Sequence, residues 1–438
     1  EAGQEFYLAK AQNSHNTSND VANGYNGWHS GEPNNDYNDF KTGQNAVTVG
    51  YDWASKWDDN TAANRINNSS IEIKGYIQET NNFRSALTVK AASGNVDFKG
   101  AIGSQKELYA LNVNNTGNVT TGSTVKLVGD KFNDVQYGGD MDIESTGKVE
   151  MMGVVNATGH IYIDQTVKGA AVIANDTLTA GGDTAVRDDT DQNIKIGTAA
   201  NRANSVQLDK LATADDGIAI YTTGNITTGD GLTANDLLKT GDIILNANGA
   251  ESMITLAGTT KVTSTADTKD DIYLTADKMA LNGPVTTNSN TGVVAVSNYT
   301  EGNNIDLGST AADTKADTLE LSSDEINKIT ASKLIVGTND TTAGDITITQ
   351  GKNTKNINII NAITPAGTSV VHMYTGVAGG QIKETTTPTT SGTLTPGLNG
   401  KLNLAITADN MIYLDNVNNI TTFAATSTGG TNDSIRLN

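Results

Sequence analysis

The chain has 438 residues, 45 glycines, 5 prolines and no cysteine, so disulfides and thiolate metal sites are excluded. Its formal net charge of −20 repels nucleic acid and anionic lipid and sets both aside as partners. Aromatic residues make up 5% and charged residues 18%, a mix that suits many short strands and turns rather than a helical bundle, and no run approaches the ~20 apolar residues of a membrane span.

Residues 1–80 hold all three tryptophans, Trp28, Trp53 and Trp57, and few regular apolar patterns. Trp28-His29-Ser30-Gly31-Glu32-Pro33-Asn34-Asn35, then Lys56-Trp57-Asp58-Asp59, then Gly75-Tyr76-Ile77-Gln78-Glu79 stand in the order of a long loop, a Trp-Asn-Asp motif and a closing strand. In that order they resemble part of a C-type lectin-like domain. The resemblance implies a calcium ion that holds sugar hydroxyls, with Glu32, Asn34, Asp58 and Asp59 as ligands and Asp36 or Asp39 as an intervening acid. Side-chain oxygens are the right donors for this hard cation, which takes ~6–8 of them. Asp58 departs from the family's Asn, and the family's first half is missing, so the module is partial. The alternative is a folded module that binds nothing, with Trp28 and Trp57 as core residues.

From residue 81 the pattern changes to apolar–polar–apolar triplets: Leu87-Thr88-Val89, Val96-Asp97-Phe98, Leu111-Asn112-Val113, Val149-Glu150-Met151, Ile161-Tyr162-Ile163, Ile194-Lys195-Ile196, Ile218-Ala219-Ile220 and Ile254-Thr255-Leu256. A period of two puts both apolar side chains on one face of a short strand. Gly138-Gly139, Gly181-Gly182 and Thr240-Gly241-Asp242 supply the corners. The polar stretches Gly181 to Asn193 and Leu232 to Lys239 are expected to leave the coil as loops or short helical turns. A strand of three residues has no core of its own. It becomes stable only when the next strand stacks directly on it, which is the logic of a parallel β-helix, here with an expected coil of ~20–25 residues.

Between residues 271 and 350 the triplets are densest: Ile272-Tyr273-Leu274, Val294-Ala295-Val296, Ile305-Asp306-Leu307, Leu319-Glu320-Leu321, Leu334-Ile335-Val336 and Ile346-Thr347-Ile348. The order of Leu274-Thr275-Ala276-Asp277-Lys278-Met279-Ala280-Leu281, Asn304-Ile305-Asp306-Leu307-Gly308 and Thr318-Leu319-Glu320-Leu321 resembles the repeat region of filamentous haemagglutinin-like bacterial adhesins. That resemblance implies a right-handed parallel β-helix over residues 81–438, secreted to the bacterial surface. Within it, Ile305 and Leu307 are expected to point inward, and Ser322 with Glu325 reads as the capping box of a single helical turn.

Beyond residue 350, Ile357-Asn358-Ile359, Leu402-Asn403-Leu404, Ile412-Tyr413-Leu414 and Ile435-Arg436-Leu437 continue the pattern, interrupted by a Thr-rich excursion over residues 384–391. A last triplet at Ile435-Arg436-Leu437 leaves an apolar layer that more chain or another subunit would cover.

Catalytic signatures are sparse. His15, His29, His160 and His372 are scattered, without metal-ligand spacing. The acid pairs Asp188-Asp189, Asp215-Asp216 and Asp270-Asp271 are expected to be hydrated turn residues. The combined expectation is an all-β extracellular adhesin or structural fibre protein that acts by display and is not an enzyme. Its partial lectin-like module spans residues 1–80 and its solenoid residues 81–438, with a glycan as possible ligand. Two alternatives stand beside it: self-association into a head-to-tail filament, and a polysaccharide-degrading β-helix.

Overall fold

The computed structural model describes residues 46–49, 57–60, 71–73, 86–90, 94–132, 135–165, 170–181, 192–235, 241–263, 271–310, 313–338, 354–365, 367–384, 398–416, 418–428 and 435–437. These residues are nearly all β. Short strands pair in parallel with strands one coil away, as a solenoid requires. The chain divides into two compact units, residues 1–203 with 207–210, and residues 204–206 with 211–438. The expected boundary near residue 80 and most of residues 1–80 lie outside the described residues.

In the first unit each coil contributes to three stacks. One runs through Ala86–Lys90, Ala110–Thr116, Asp140–Ser145, Ile161–Gln165 and Gln192–Ile196. A second runs through Val125–Leu127, Val155–Ala157 and Leu178–Ala180. A third runs through Ile71–Ile73, Val96–Phe98, Val119–Thr121, Val149–Met151 and Ala171–Ala174. The pairing is in register, so like faces like. Leu87, Leu111, Met141, Ile161 and Ile194 form one inner row, all buried, while Thr88, Asn112, Asp142, Tyr162 and Lys195 form the outer row between. Each buried aliphatic contributes roughly 1.5–3 kcal/mol, and it does so only because the neighbouring coil covers it. Antiparallel pairing also occurs: Asp130–Phe132 with Val135–Tyr137, and Ala46–Val49 with Trp57–Asn60.

The second unit repeats the plan. Its first stack is Gly217–Thr222, Ile243–Ala247, Ile272–Thr275 and Val293–Ser297; its second is Ala212–Ala214, Gly231–Ala234, Thr259–Val262 and Val285–Thr286. The long strand Ile329–Val336 then joins the two. Its start pairs with Val285 and Thr286, and its end with Val293 to Val296. Gly367–Tyr374, Asn399–Ala408 and Asn419–Ser427 follow on the merged sheet. The third stack holds Ile226–Thr228, Met253–Leu256 and Lys278–Leu281, where its sheet ends. A further sheet holds, in spatial order, Thr318–Leu321, Asn304–Leu307, Asn356–Ile359, Gln381–Glu384, Ile412–Leu414 and Ile435–Leu437.

Several expectations change against this structure. Coil length is less uniform than ~20–25 residues: Met141 stacks on Ile161 but Val294 on Leu334, because the longer interval carries the strands Asn304–Leu307 and Thr318–Leu321 and the helix Ser323–Asn327. Leu232 to Ala234 are not loop but part of strand Gly231–Ala234, with Leu232 in the core, and Asn193 lies in strand Gln192–Ile196. Asp216 and Asp271 are buried, not hydrated. Asp271 accepts the Tyr273 hydroxyl at 3.0 Å and the Val293 N–H at 2.8 Å. Ile435 and Leu437 lie on a strand and are 46% and 55% exposed, in keeping with the uncovered apolar layer expected of this last triplet. The capping box at Ser322 and Glu325 is present and starts helix Ser323–Asn327.

Candidate functional site: a charged seam in the third stack

After Val293–Ser297, chain order would place Asn304–Leu307 on Lys278–Leu281. The chain instead carries Asn304–Leu307 one level further, returns, and sets Thr318–Leu321 beside Lys278–Leu281. Strand order is therefore inverted, and the two sheets on either side of the join share no backbone ladder. Residue i of a parallel strand directs its N–H and C=O to the same neighbour, so Met279 and Leu281 face the join with groups that must be satisfied there.

Side chains satisfy them. The Met279 N–H bonds the Asp313 carboxylate, and the Leu281 N–H donates to Glu325 Oε1 at 2.9 Å. Lys328 Nζ donates to the Leu281 carbonyl at 3.0 Å. Lys278, 5% exposed, donates to the carbonyls of Lys315 and of Thr318, the latter at 3.3 Å, and pairs with Glu251 at 3.3 Å. These contacts engage the ammonium's three donors. Acids stand at the centre of both triplets on the far side. Asp306 holds Lys315 Nζ at 2.6 Å and Asn358 Nδ2 at 2.6 Å; Glu320 accepts from the Ser309 hydroxyl at 2.8 Å and the Lys315 N–H at 3.0 Å. Asp277, 1% exposed, ties the next loop down through the N–H groups of Tyr299 and Thr300, at 3.0 and 2.7 Å.

Burial raises the Glu320 carboxyl, but the Lys315 N–H and the Ser309 hydroxyl outweigh it, and the group stays below the ordinary carboxylate value. Asp313 goes the other way. Burial first, then the Glu325 and Glu320 charges, push it up to about 6, against the pull of the Met279 N–H and of Lys278. Its Oδ1 has no hydrogen-bond partner. Backbone strain collects at the same place. Glu251, Asp313 and Asp317 adopt positive φ of 61°, 49° and 53°, the non-glycine cases among the described residues.

No family model matches this chain, and neither does any curated protein or solved structure. Of the residues that the lectin-like motif singles out, Glu32, Asn34, Asp36 and Asp39 lie outside the described residues. Asp58 and Asp59 lie on strand Trp57–Asn60, opposite Thr48 and Val47. Among the described residues no group of three or more His, Asp or Glu is placed to hold a metal ion.

A second polar cluster lies in the first unit. His160, 1% exposed, has Nε2 3.1 Å from Asp142 Oδ1 and Nδ1 3.0 Å from Asp140 Oδ1, and its ring lies 3.9 Å from that of Tyr162. Burial pulls the imidazole down, but the two carboxylates outweigh it and the net shift is upward. No role for Lys278, Asp313 or His160 is legible in the sequence, because a lone charged residue in a strand or turn looks the same whether its partner is water or a neighbouring coil. Glu325 was found only through its capping box, a local signal.

Proposed function

We propose that this chain is a structural or adhesive protein of a bacterial surface, extracellular, acting by display of a long-range ordered surface and not by catalysis. One observation carries the reading. The charged side chains that gather at the seam are consumed by the fold: Lys278, Glu325, Lys328 and Asp277 each bond backbone groups of a neighbouring coil. A catalytic cluster leaves such groups turned to a substrate; here they close a wall. Outer rows of the first unit, such as Thr88, Asn112 and Asp142, repeat short polar residues at the ~4.8 Å spacing of a parallel ladder, which suits repeated weak contacts to a surface. The triplet order at residues 274–321 supports the filamentous haemagglutinin-like, right-handed form of this reading. The motifs at Glu32, Asn34, Asp58 and Asp59 support a calcium-dependent glycan contact.

The test is binding of the intact protein to immobilised glycans and to host-cell extracellular matrix, with calcium and with chelator. Retention on either surface supports display. Loss of glycan retention in chelator and in Glu32→Gln supports the calcium site, and equal retention in both rejects it. A polysaccharide-cleaving β-helix is the second reading. Asp313 favours it, as a carboxyl with a free acceptor oxygen and a value suited to acid–base work near neutrality. Turnover of acidic glycans that Asp313→Asn abolishes would replace the first reading by this one.

A further inference from the structure

Within the second unit's stacks, neighbouring strands are joined by backbone ladders that form and break cooperatively. The join between Lys278–Leu281 and Thr318–Leu321 is different, because side chains bridge it. We propose that this join is a gate: the third stack parts between Lys278–Leu281 and Thr318–Leu321 while the ladders on either side stay closed, baring the Met279 and Leu281 edge to solvent.

Three features favour opening here over any neighbouring level. Each bridge is a separate side-chain bond, and no ladder must unzip. Thr318–Leu321 keeps its own partner, since Leu319 and Leu321 pair in register with Ile305 and Leu307, so it can move without unfolding. The positive φ of Asp313 and Asp317, just ahead of that strand, stores strain that parting relieves. Helix Ser323–Asn327, held by its own cap, carries Glu325 away from Leu281 as the gap widens.

The charge on Asp313 sets the balance. It is faced by Glu325 on the helix, Glu320 on the inserted strand and Lys278 on the opposite strand. Ionised, it adds a third carboxylate to this crowd. Its value in the closed state, about 6, lies above the ordinary 3.8, so the closed state holds the proton more tightly. The gate is therefore tighter at pH 5.5 and looser at pH 7.5. The inference does not rest on the adhesive reading and survives if that reading fails.

Native-state hydrogen exchange on the full chain tests it. At pH 7.5 the Met279 and Leu281 amides should show protection at least about tenfold lower than the strongly protected amides of Met253–Leu256 and Asn304–Leu307. Corrected for intrinsic rates, their protection should rise about threefold or more at pH 5.5, while the flanking strands change little. Asp313→Asn folds without added strain, because Asn tolerates positive φ as well as Asp does. It should raise Met279 and Leu281 protection at pH 7.5 and remove the pH response. Exchange of Met279 and Leu281 in step with the flanking strands at both pH values would overturn the gate. A pH response that persists in Asp313→Asn would overturn the role of that carboxyl.

Discussion

Glu325 accepts the backbone N–H of Leu281 at 2.9 Å across a break between two sheets, and the same carboxylate closes the cap of its own helix through the Ser322 N–H at 2.8 Å. One side chain thus replaces a rung of ladder and starts a helix. Glu325→Ala removes both. Losing the cap costs ~0.5–2 kcal/mol and leaving the Leu281 N–H bare costs ~1–3 kcal/mol, so a loss of about 2–4 kcal/mol is expected in urea unfolding. Glu325→Gln keeps an acceptor and should lose less than half of that. Equal losses in the two variants would show that packing, not hydrogen bonding, holds this point.

Leu307 is fully buried, in register with Leu321 on one side and Ile359 on the other. Leu307→Ala should cost ~2–5 kcal/mol through the cavity it leaves between three coils. Leu307→Asp places a charge in the inner row and should strip exchange protection from Thr318–Leu321 and Asn356–Ile359 while that of Gly217–Thr222 persists. Unchanged protection in the neighbours would contradict interior stacking.

How much of this was legible in the sequence depends on which neighbour a residue answers to. The triplets gave Ile305 and Leu307, and Ile272 and Leu274, their inward direction, because a period of two is a local property of one strand. The Ser322–Glu325 cap was legible for the same reason. Which strand stacks on which was not. Nothing local to Ile305-Asp306-Leu307 or Leu319-Glu320-Leu321 says that the later strand lies nearer Lys278–Leu281. The burial of Asp306 and Glu320 follows from that inversion, so it was hidden with it. His160 was hidden likewise, since its partners Asp140 and Asp142 belong to the preceding coil.

His160 contacts a carboxylate through each ring nitrogen, and only the imidazolium donates from both at once. Its value in the folded chain is raised, so it stabilises fully below the ordinary ~6.5 and the contribution is lost as pH rises through the raised value. The urea midpoint of the wild type should therefore fall between pH 5.5 and 8.5 relative to that of His160→Gln. A histidine resonance titrating at or below ~6.5 would contradict this.

Gly231 has φ of 124°, and a Cβ there would lie 2.0 Å from the Thr259 carbonyl oxygen of the next coil. No side chain moves to relieve a backbone clash, so Gly231→Ala should cost at least ~2 kcal/mol in urea unfolding. Gly302, at φ of 84° with open space around its Cβ position, is the control; Ala there meets the backbone penalty alone, ~1 kcal/mol. Similar losses at the two sites would place Gly231 farther from Thr259.

The inverted strand order is read most directly by cross-linking, for which a chain without cysteine is a clean background. Asn304→Cys with Thr318→Cys puts thiols on register partners in adjacent strands, ~5 Å apart. Ala280→Cys with Asp306→Cys puts them on strands separated by Thr318–Leu321, ~10 Å apart. A bridging reagent of ~5 Å should join the first pair in the native protein and leave the second unjoined. Joining of Ala280→Cys to Asp306→Cys, alongside the first pair, which is adjacent in either order, would mean that the strands stack in chain order and that the seam does not exist.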